Sequence, residues 1–387
     1  MDDGRTGFWV RLAGVGLPVL AVLILAEILV RVTGLSSTNY RMVYEDTVVK
    51  SRPGASYVYR KENRNLVRFN NEGFHDRDWR AGGDAYGILF LGDSMTEGKQ
   101  VAVDSLFTSR LEDRLRSVRM DVDVMNAAVS ATGTGHQYLL WKTYIRDSGV
   151  RVDRLVLCFF PQNDLKGNHA GIGKGPETYG VYLGPEGRPW VQRDEPIVKR
   201  VVRKVTKRSA LVDLVYTRLH YLVRGMERPD NIEDEEGDGN WPDPTGSGAS
   251  SDESGGSVSA DYSEGAVAYA DTLWAESMRR TLRLIERWNR EAEAEGVEFS
   301  VVIIPSTDQN NFYEDEVARR LLRADDEGEF DVLRLTLEGR DPSETNSFGG
   351  ERIGHLNELG HSLVARELYD WLTPALERAL SDSADGS

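Results

Sequence analysis

The chain has 387 residues, a formal net charge of −16 at pH 7 and 40% apolar residues. Such an acidic chain lacks the concentrated positive surface that releases counterions from a phosphate backbone, so no nucleic-acid partner is expected. Its one cysteine, Cys158, excludes an internal disulfide framework, and the apolar run around it is typical of a buried, unreactive thiol. The length fits one domain of ordinary size with additional segments.

An apolar segment near the start of the chain predicts a membrane span. Residues Leu12 to Val30 contain one ionisable side chain, Glu27, and match the ~20 residues that cross a hydrocarbon core as a helix. No small-x-small cleavage site follows, which favours an uncleaved anchor over a cleaved signal peptide or a buried soluble helix. We therefore predict a single-pass membrane protein with residues 1–34 as its transmembrane anchor, followed by a polar approach segment at 35–84.

Beyond the approach segment, short apolar runs alternate with segments whose apolar residues recur at helical spacing. The predicted strands are Tyr86–Leu91, Asp121–Met125, Arg154–Phe160, Glu298–Ile304 and Asp331–Leu337. The predicted helices are Asp104–Val118 (capped by Asp104 or Ser105), His136–Asp147, Asp271–Glu295, Glu314–Ala324 and Asn357–Leu380. This alternation predicts an α/β fold, a three-layer α/β/α sandwich with a five-stranded parallel sheet covered on both faces.

Residues 165–264 interrupt the alternation and are predicted to be an insertion, so the main domain comprises 85–164 and 265–381. Six basic residues between 199 and 208 recur near helical spacing, which suits contact with anionic lipid or an acidic polymer and equally suits a solvated helix face. Residues 230–264 carry eleven Asp or Glu residues and no Lys or Arg. Such a segment cannot bury enough apolar surface to offset its ordering entropy, so we predict disorder there.

The motif GDSMTEG, Gly92 to Gly98, stands at the exit of the first predicted strand. A serine hydroxyl becomes a nucleophile when a turn holds it rigidly within reach of a histidine base. A strand-to-helix turn at Ser94 provides that setting, although Gly-Asp-Ser also fits a plain N-capping turn. Because ligands collect at the carboxyl ends of parallel strands, further site residues are expected at the other strand ends.

Three more polar segments follow predicted strands or open the last helix. They are NAAVSATG at 126–133, PQND at 161–164, and His355-Leu356-Asn357, which is predicted to begin the final helix. Acyl transfer needs hydrogen-bond donors about 3 Å from the developing oxyanion. The Asn163 amide and backbone N–H groups at Ser94 and near 131–133 are candidate donors. Structural alternatives stay open, because Asn163 also fits a helix cap, Gly133 a positive φ, and His355 a capping or surface histidine.

The segments GDSMTEG, NAAVSATGTGHQY, FPQND and HLNELGH, in this order, resemble the SGNH hydrolase family, also called GDSL-like esterases, over about residues 86–380 without the insertion. The resemblance implies a flavodoxin-like SGNH fold. It implies Ser94 as nucleophile, His355 as base and then acid, and an oxyanion hole formed by Asn163 and backbone amides at Ser94 and Ala131. Ala131 stands where the family has a glycine, and Gly133 follows two positions later.

The chain departs from the family pattern at the triad acid. The family's D-x-x-H block has no counterpart, since Arg352 and Ile353 occupy the usual carboxylate positions before His355. Glu351 is the nearest acid, so the alternatives are a Ser–His dyad, recruitment of Glu351, or a weak or inactive site. His361 is predicted to be a structural histidine within the last helix.

Taken with the resemblance, these residues predict a serine esterase that removes O-acyl, chiefly acetyl, groups from cell-surface glycans. An O-acetyltransferase using the same site, a lipid esterase, and a non-catalytic envelope or glycan-binding protein are the alternatives. Basic residues on both sides of the span do not favour export, but long domains translocate regardless, and an envelope substrate requires an extracytoplasmic catalytic domain. No cofactor or metal is predicted, and the sequence does not fix the oligomeric state.

Overall fold

A computed structural model of the chain describes residues 3–33, 41–44, 48–59, 62–170, 172, 180–192, 264–305, 312–349 and 352–385, with separate positions between 201 and 219. The tract predicted to be disordered lies outside the described residues except for its last residue, Glu264. Most of the basic stretch 199–208 also lies outside them.

The chain begins with helix α1 (Asp3–Thr33). Its segment Gly14–Thr33 has a mean hydropathy of 2.4 and is, by length and composition, apolar enough to cross a membrane. Most of its large apolar side chains are exposed, among them Leu17, Leu25 and Val32. The predicted N-terminal span is therefore matched by a continuous helix.

Two antiparallel hairpins follow α1, in the region predicted to be a polar approach segment. Strand β1 (Arg41–Tyr44) pairs with β2 (Val48–Ser51), and β3 (Ser56–Tyr59) pairs with β4 (Asn65–Arg68). Tyr57, Tyr59, Val67 and Phe69 form a small apolar core of their own around the second hairpin. The second hairpin also contacts the main domain, since Asn65 Nδ2 donates to the carbonyls of Lys99 and Val101.

The main domain is built on a five-stranded parallel sheet, as predicted. Its strands are β5 (Tyr86–Leu91), β6 (Val122–Asn126), β7 (Arg154–Phe159), β10 (Glu298–Ile303) and β11 (Asp331–Arg334), in the spatial order β11-β10-β7-β5-β6. Each neighbouring pair is parallel. Two short hairpins complete the described strands, β8 (Gly180–Leu183) with β9 (Pro189–Gln192), and β12 (Asn346–Gly349) with β13 (Arg352–Leu356).

Helices cover both faces of this sheet. They are α2 (Ser94–Glu97), α3 (Phe107–Ser117), α4 (Thr134–Thr143), α5 (Pro161–Asn168), α6 (Glu264–Ala294), α7 (Phe312–Asp326), α8 (Pro342–Thr345) and α9 (Glu358–Asp385). Successive strand residues point to opposite faces. Leu155 and Leu157 of β7 therefore pack in one core with α4, α6 and α7, whereas Val156 and Cys158 pack in a second core with α3 and α9. The predicted three-layer arrangement is confirmed.

Two local predictions were wrong. Neither Asp104 nor Ser105 caps α3, because both lie in a preceding 3-10 turn and the cap position falls on Leu106, which makes no side-chain cap bond. His355 does not open the last helix. It lies on β13, which pairs with β12, and the helix begins at Glu358, where Asn357 Oδ1 accepts the Gly360 N–H at 3.0 Å.

Candidate active site

The turn after β5 presents Ser94 as the first residue of α2. A Cβ at Gly92 would lie 2.3 Å from Thr96 Oγ1, so only glycine lets the chain turn this tightly. The Asp93 side-chain carboxylate accepts the Met95 N–H at 2.9 Å, and the Asp93 backbone carbonyl accepts the Glu97 N–H at 2.9 Å. The Gly-Asp-Ser motif therefore caps a helix, as the structural alternative required, and the same turn fixes the serine at the carboxyl end of a central strand.

Ser94 is 4% exposed, and its Oγ has no hydrogen-bond partner among the described residues. Buried hydroxyls are usually hydrogen-bonded, so an exception is a candidate for a functional group. Helix α2, which begins with Ser94, contacts β13, which carries His355. The hydroxyl and the imidazole thus lie on adjoining elements, although they are not hydrogen-bonded to each other. Hydrogen bonds of this kind are often long without substrate and tighten in the complex.

His355 donates two hydrogen bonds to the carboxylate of Glu62. The His355 Nδ1–H donates to Glu62 Oε1 at 2.5 Å, and the His355 backbone N–H donates to Oε2 at 3.1 Å. The Glu62 side chain is 4% exposed and that of His355 12%. A carboxylate only accepts hydrogen bonds, so Nδ1 carries the proton and, in the neutral ring, Nε2 is the basic nitrogen. This is the tautomer that a general base needs.

Two features bring Glu62 to this position. Glu62 lies between β3 and β4, where Asn65 Nδ2 donates to the carbonyls of Lys99 at 2.8 Å and Val101 at 2.6 Å, in the loop after α2. On the other side, a Cβ at Gly354 would lie 2.7 Å from Glu62 Cδ and 2.6 Å from the Ser347 carbonyl oxygen. The glycine before His355 therefore makes the space that the carboxylate occupies.

The sequence interpretation missed Glu62. It sought the acid within a few residues of His355, and its candidate, Glu351, lies outside the described residues. Glu62 stands 293 positions earlier in the chain, in a segment to which no chemical role was given. The Gly354-His355 pair was the available signal, since a glycine beside a predicted base indicates close approach of another group.

Asn163 lies beside the turn that carries Ser94, in the first turn of α5. Its Nδ2 donates to Asp93 Oδ2 at 2.8 Å, so the residue before Ser94 fixes the orientation of this amide. An amide nitrogen carries two hydrogens, which leaves a second N–H for a substrate oxygen. The next residue, Asp164, is buried and accepts from the Phe160 N–H at 2.8 Å and the Thr134 hydroxyl at 3.1 Å, which ties α5 to the start of α4. Burial raises the pKa of Asp164 well above its usual range, and the nearby charge of Asp93 adds to this effect.

Several hydrogen bonds join the loop after β6 to the turn that carries Ser94. Asn126 Nδ2 donates to the Thr96 carbonyl at 2.9 Å, and the Val129 N–H donates to the Gly92 carbonyl at 3.1 Å. The buried Glu97 carboxylate accepts the Ser130 N–H at 2.6 Å and also the Ser130 hydroxyl. These bonds fix the backbone directly before Ala131.

Ala131 has a φ of +59°, in the left-handed region that favours glycine. An alanine thus adopts here a backbone conformation that is usual for glycine. Gly133, by contrast, has a φ of −96°, so a positive φ does not explain it. A Cβ there would lie 2.8 Å from Asn168 Oδ1, and close packing between the start of α4 and α5 accounts for the glycine.

Replacing Ala131 by glycine is expected to preserve activity and to leave the free energy of unfolding equal or higher by up to about 1 kcal/mol. Relief of the left-handed strain, about 1–2 kcal/mol, is partly offset by the greater backbone entropy of glycine. Thermal unfolding and hydrolysis of p-nitrophenyl acetate measure the two quantities. In the matched control, Ala128→Gly in the same loop, no positive φ is relieved and stability should fall. A loss of activity in Ala131→Gly would contradict the proposed placement of its amide.

Buried side chains from the region between the anchor helix and the sheet also hold the loops around Ser94 in place. Asp76 Oδ2 accepts the Asn126 N–H at 2.8 Å and the Trp79 Nε1–H at 2.7 Å, and His75 Nδ1 donates to the Glu97 carbonyl at 2.8 Å. Burial raises the pKa of Asp76 to about 7. The region predicted to be an approach segment therefore contributes buried side chains to the two loops that surround Ser94.

Two other candidate groups have structural roles. His361 is buried, its Nδ1 accepts the Phe107 N–H at 3.2 Å, and burial lowers its pKa to about 3, which keeps the ring neutral. Cys158 is buried in the core, where burial raises the pKa of its thiol to about 12. Within the described part of the chain, no three His, Cys, Asp or Glu side chains are grouped as metal ligands.

No protein-family model and no curated protein matches the chain. Among solved structures, TesA is 12% identical, with a TM-score of 0.35 and coverage of 74% of this chain and 98% of that chain. The esterase EstA from Pseudoalteromonas sp. is 10% identical, with a TM-score of 0.36 and coverage of 75% and 98%. A member of the lipolytic G-D-S-L family from Veillonella parvula is 13% identical, with a TM-score of 0.36 and coverage of 75% and 99%. A TM-score of this size carries no information about activity, which must come from the residues themselves.

Proposed function

We propose that the chain is a serine esterase of the SGNH type, with Ser94 as nucleophile, His355 as base and Glu62 as the acid of the triad. The Glu62–His355 pair carries this proposal. A histidine needed only for packing is satisfied by any single partner, whereas here one carboxylate accepts from both the ring and the backbone of the same residue. His355 of this pair also lies on β13, the strand that contacts the helix beginning with Ser94.

In the proposed reaction, Ser94 Oγ attacks the ester carbonyl carbon while His355 Nε2 takes the hydroxyl proton. The Glu62 carboxylate stabilises the imidazolium that forms. The oxyanion is held by the N–H groups of Ser94 and Ala131 and by Asn163 Nδ2. The ester C–O bond then breaks, and the leaving alcohol takes the proton from His355. Water, activated by the same imidazole, hydrolyses the acyl-enzyme and releases the acid.

We further propose that the substrates are O-acetyl groups of cell-surface glycans and that the catalytic domain is extracytoplasmic. A helix long enough to cross a membrane precedes the domain in the chain and would hold the site close to the envelope. The non-catalytic alternative was suggested by the lack of an acid next to His355, and Glu62 removes that reason. Transfer to a sugar hydroxyl instead of water uses the same acyl-enzyme, so release versus transfer of labelled acetate distinguishes the two activities.

A fluorophosphonate probe tests the proposed nucleophile directly. It should label the full-length protein, and mass spectrometry should locate the adduct on the peptide that contains Ser94. The variant Ser94→Ala should not react. Ser109 on α3 offers a matched control, since its hydroxyl is also buried without a hydrogen-bond partner among the described residues. Ser109→Ala should therefore be labelled like the wild type. Absence of labelling in the wild type, or equal labelling of Ser94→Ala, would rule out the proposed esterase.

A further inference from the structure

Glu27, the one acidic residue within the apolar segment of α1, is surrounded by hydrogen-bond donors. Its carboxylate accepts from Arg31 Nε at 2.6 Å, one turn later in the same helix. It also accepts from the Ser209 hydroxyl at 2.8 Å and from the backbone N–H groups of Ala210 and Leu211, both at 2.9 Å. The insertion of the main domain therefore returns to the anchor helix and docks on it at this carboxylate.

The donors belong to the start of another helix. Ala210, Leu211 and Val212 are helical, as are the described positions 214–216 and 219. Ser209 Oγ accepts the Val212 N–H at 3.1 Å, so Ser209 and Glu27 together satisfy the first N–H groups of this helix. Arg31 Nη2 adds a bond to the Arg208 carbonyl at 2.8 Å. We call the described residues of this segment, 209–212, 214–216 and 219, the docking helix.

The docking helix exposes an apolar face. Val212, Val215, Tyr216 and Leu219 are 39%, 48%, 45% and 55% exposed. Their spacing of i, i+3, i+4 and i+7 places them on one side of a helix. The helix begins against α1, whose apolar side chains are also exposed, so both elements present apolar side chains that the described residues leave uncovered. A surface of this kind is suited to lipid rather than to water.

The depth of the docking point agrees with an interfacial position. Glu27 stands six residues before Thr33, the last residue of the apolar segment, which places it roughly 9 Å from that end of the helix. Interfacial helices bury their apolar face about 5–10 Å into the boundary between headgroups and acyl chains. A carboxylate at such a depth is unfavourable unless it is paired, and the docking helix supplies its partners.

We propose that the docking helix forms a second membrane contact, in which it lies in the lipid interface against α1. This contact orients the insertion on the bilayer surface, on the side of the membrane that carries the main domain. It does not depend on the proposed esterase activity.

Site-directed fluorescence in vesicles of phosphatidylcholine and phosphatidylglycerol tests this contact on the full-length protein. The variants Val215→Cys and Leu219→Cys carry an environment-sensitive maleimide dye, and lipids with spin labels on their acyl chains quench dyes in the bilayer. Because Cys158 is buried with a raised thiol pKa, the unsubstituted protein should remain unlabelled. Leu25→Cys in α1 marks the bilayer, and Val118→Cys, an exposed valine after α3, marks the aqueous surface.

Dyes at positions 215 and 219 should be quenched nearly as strongly as the dye at position 25. Their quenching should exceed that of the dye at position 118 several-fold. Glu27→Ala should reduce quenching at 215 and leave that at 25 unchanged, because the docking point is lost while the span remains. Quenching at 215 and 219 as low as at 118 would overturn the membrane contact. Since esterase activity is not measured, failure here is separate from failure of the proposed function.

Discussion

Replacing Glu62 by glutamine is expected to lower kcat/KM for p-nitrophenyl acetate by about 10²–10⁴, because neutralising the acid of a serine protease triad costs about 10⁴ in turnover. Glutamine keeps the size of the side chain and can still contact the ring. It lacks the negative charge that stabilises the imidazolium, and its amide can turn an N–H toward Nδ1 and so disfavour the tautomer with a basic Nε2. The loss should appear mainly in kcat.

The control for this variant lies in the same N-terminal region. Glu72 accepts the Tyr144 hydroxyl at 2.6 Å and is not in contact with His355, so Glu72→Gln should retain kcat/KM. Both variants should keep near-native thermal unfolding, since neither removes a buried apolar group. Wild-type kcat/KM in Glu62→Gln would show that the imidazole works without this carboxylate, as in a Ser–His dyad.

The layered fold could be predicted because its signals are local. The apolar runs at 86–91 and 154–160 alternate with helical spacings, and each predicted strand lies within a few residues of the observed one. Periodicity of this kind needs no knowledge of distant contacts. Ser94 and Asn163 followed from the same reasoning, since the ends of parallel strands meet at one edge of the sheet.

The carboxylate that we propose as the triad acid could not be predicted in this way. Glu62 reaches His355 because the β3–β4 hairpin docks on the loop after α2 through Asn65, and no spacing in the sequence encodes that docking. The strand that carries His355 was also mistaken for the start of a helix, because its five residues have no clear periodicity and owe their conformation to pairing with β12. Long-range packing decided both features.

The position of Glu62 changes what counts as the catalytic unit. A chain that began at residue 85 would retain Ser94, Asn163 and His355, and it would lack the acid. It would also lack Asp76, which supports the loop after β6 through the Asn126 N–H. The hairpins between the anchor and the sheet are therefore part of the proposed active site, and the boundary predicted at residue 84 divides that site.

Replacing Asn163 by alanine is expected to lower kcat by about 10²–10³, the effect of removing one side-chain donor from an oxyanion hole. The amide binds the oxygen more strongly as charge develops on it, so KM should change less than kcat. Asp93 already holds Nδ2 at 2.8 Å, which means that the donor is oriented before substrate binds. Steady-state hydrolysis of p-nitrophenyl acetate separates the two parameters.

The neighbouring residue provides the matched comparison for Asn163→Ala. Gln162 is exposed on the first turn of the same helix, so Gln162→Ala should leave kcat unchanged if the loss in Asn163→Ala comes from the donor and not from a weakened α5. Unfolding measurements on both variants check the helix independently. If Asn163→Ala keeps wild-type kcat, the oxyanion must be held by the backbone N–H groups of Ser94 and Ala131 alone. The left-handed backbone at Ala131 would then be the feature on which stabilisation of the transition state depends.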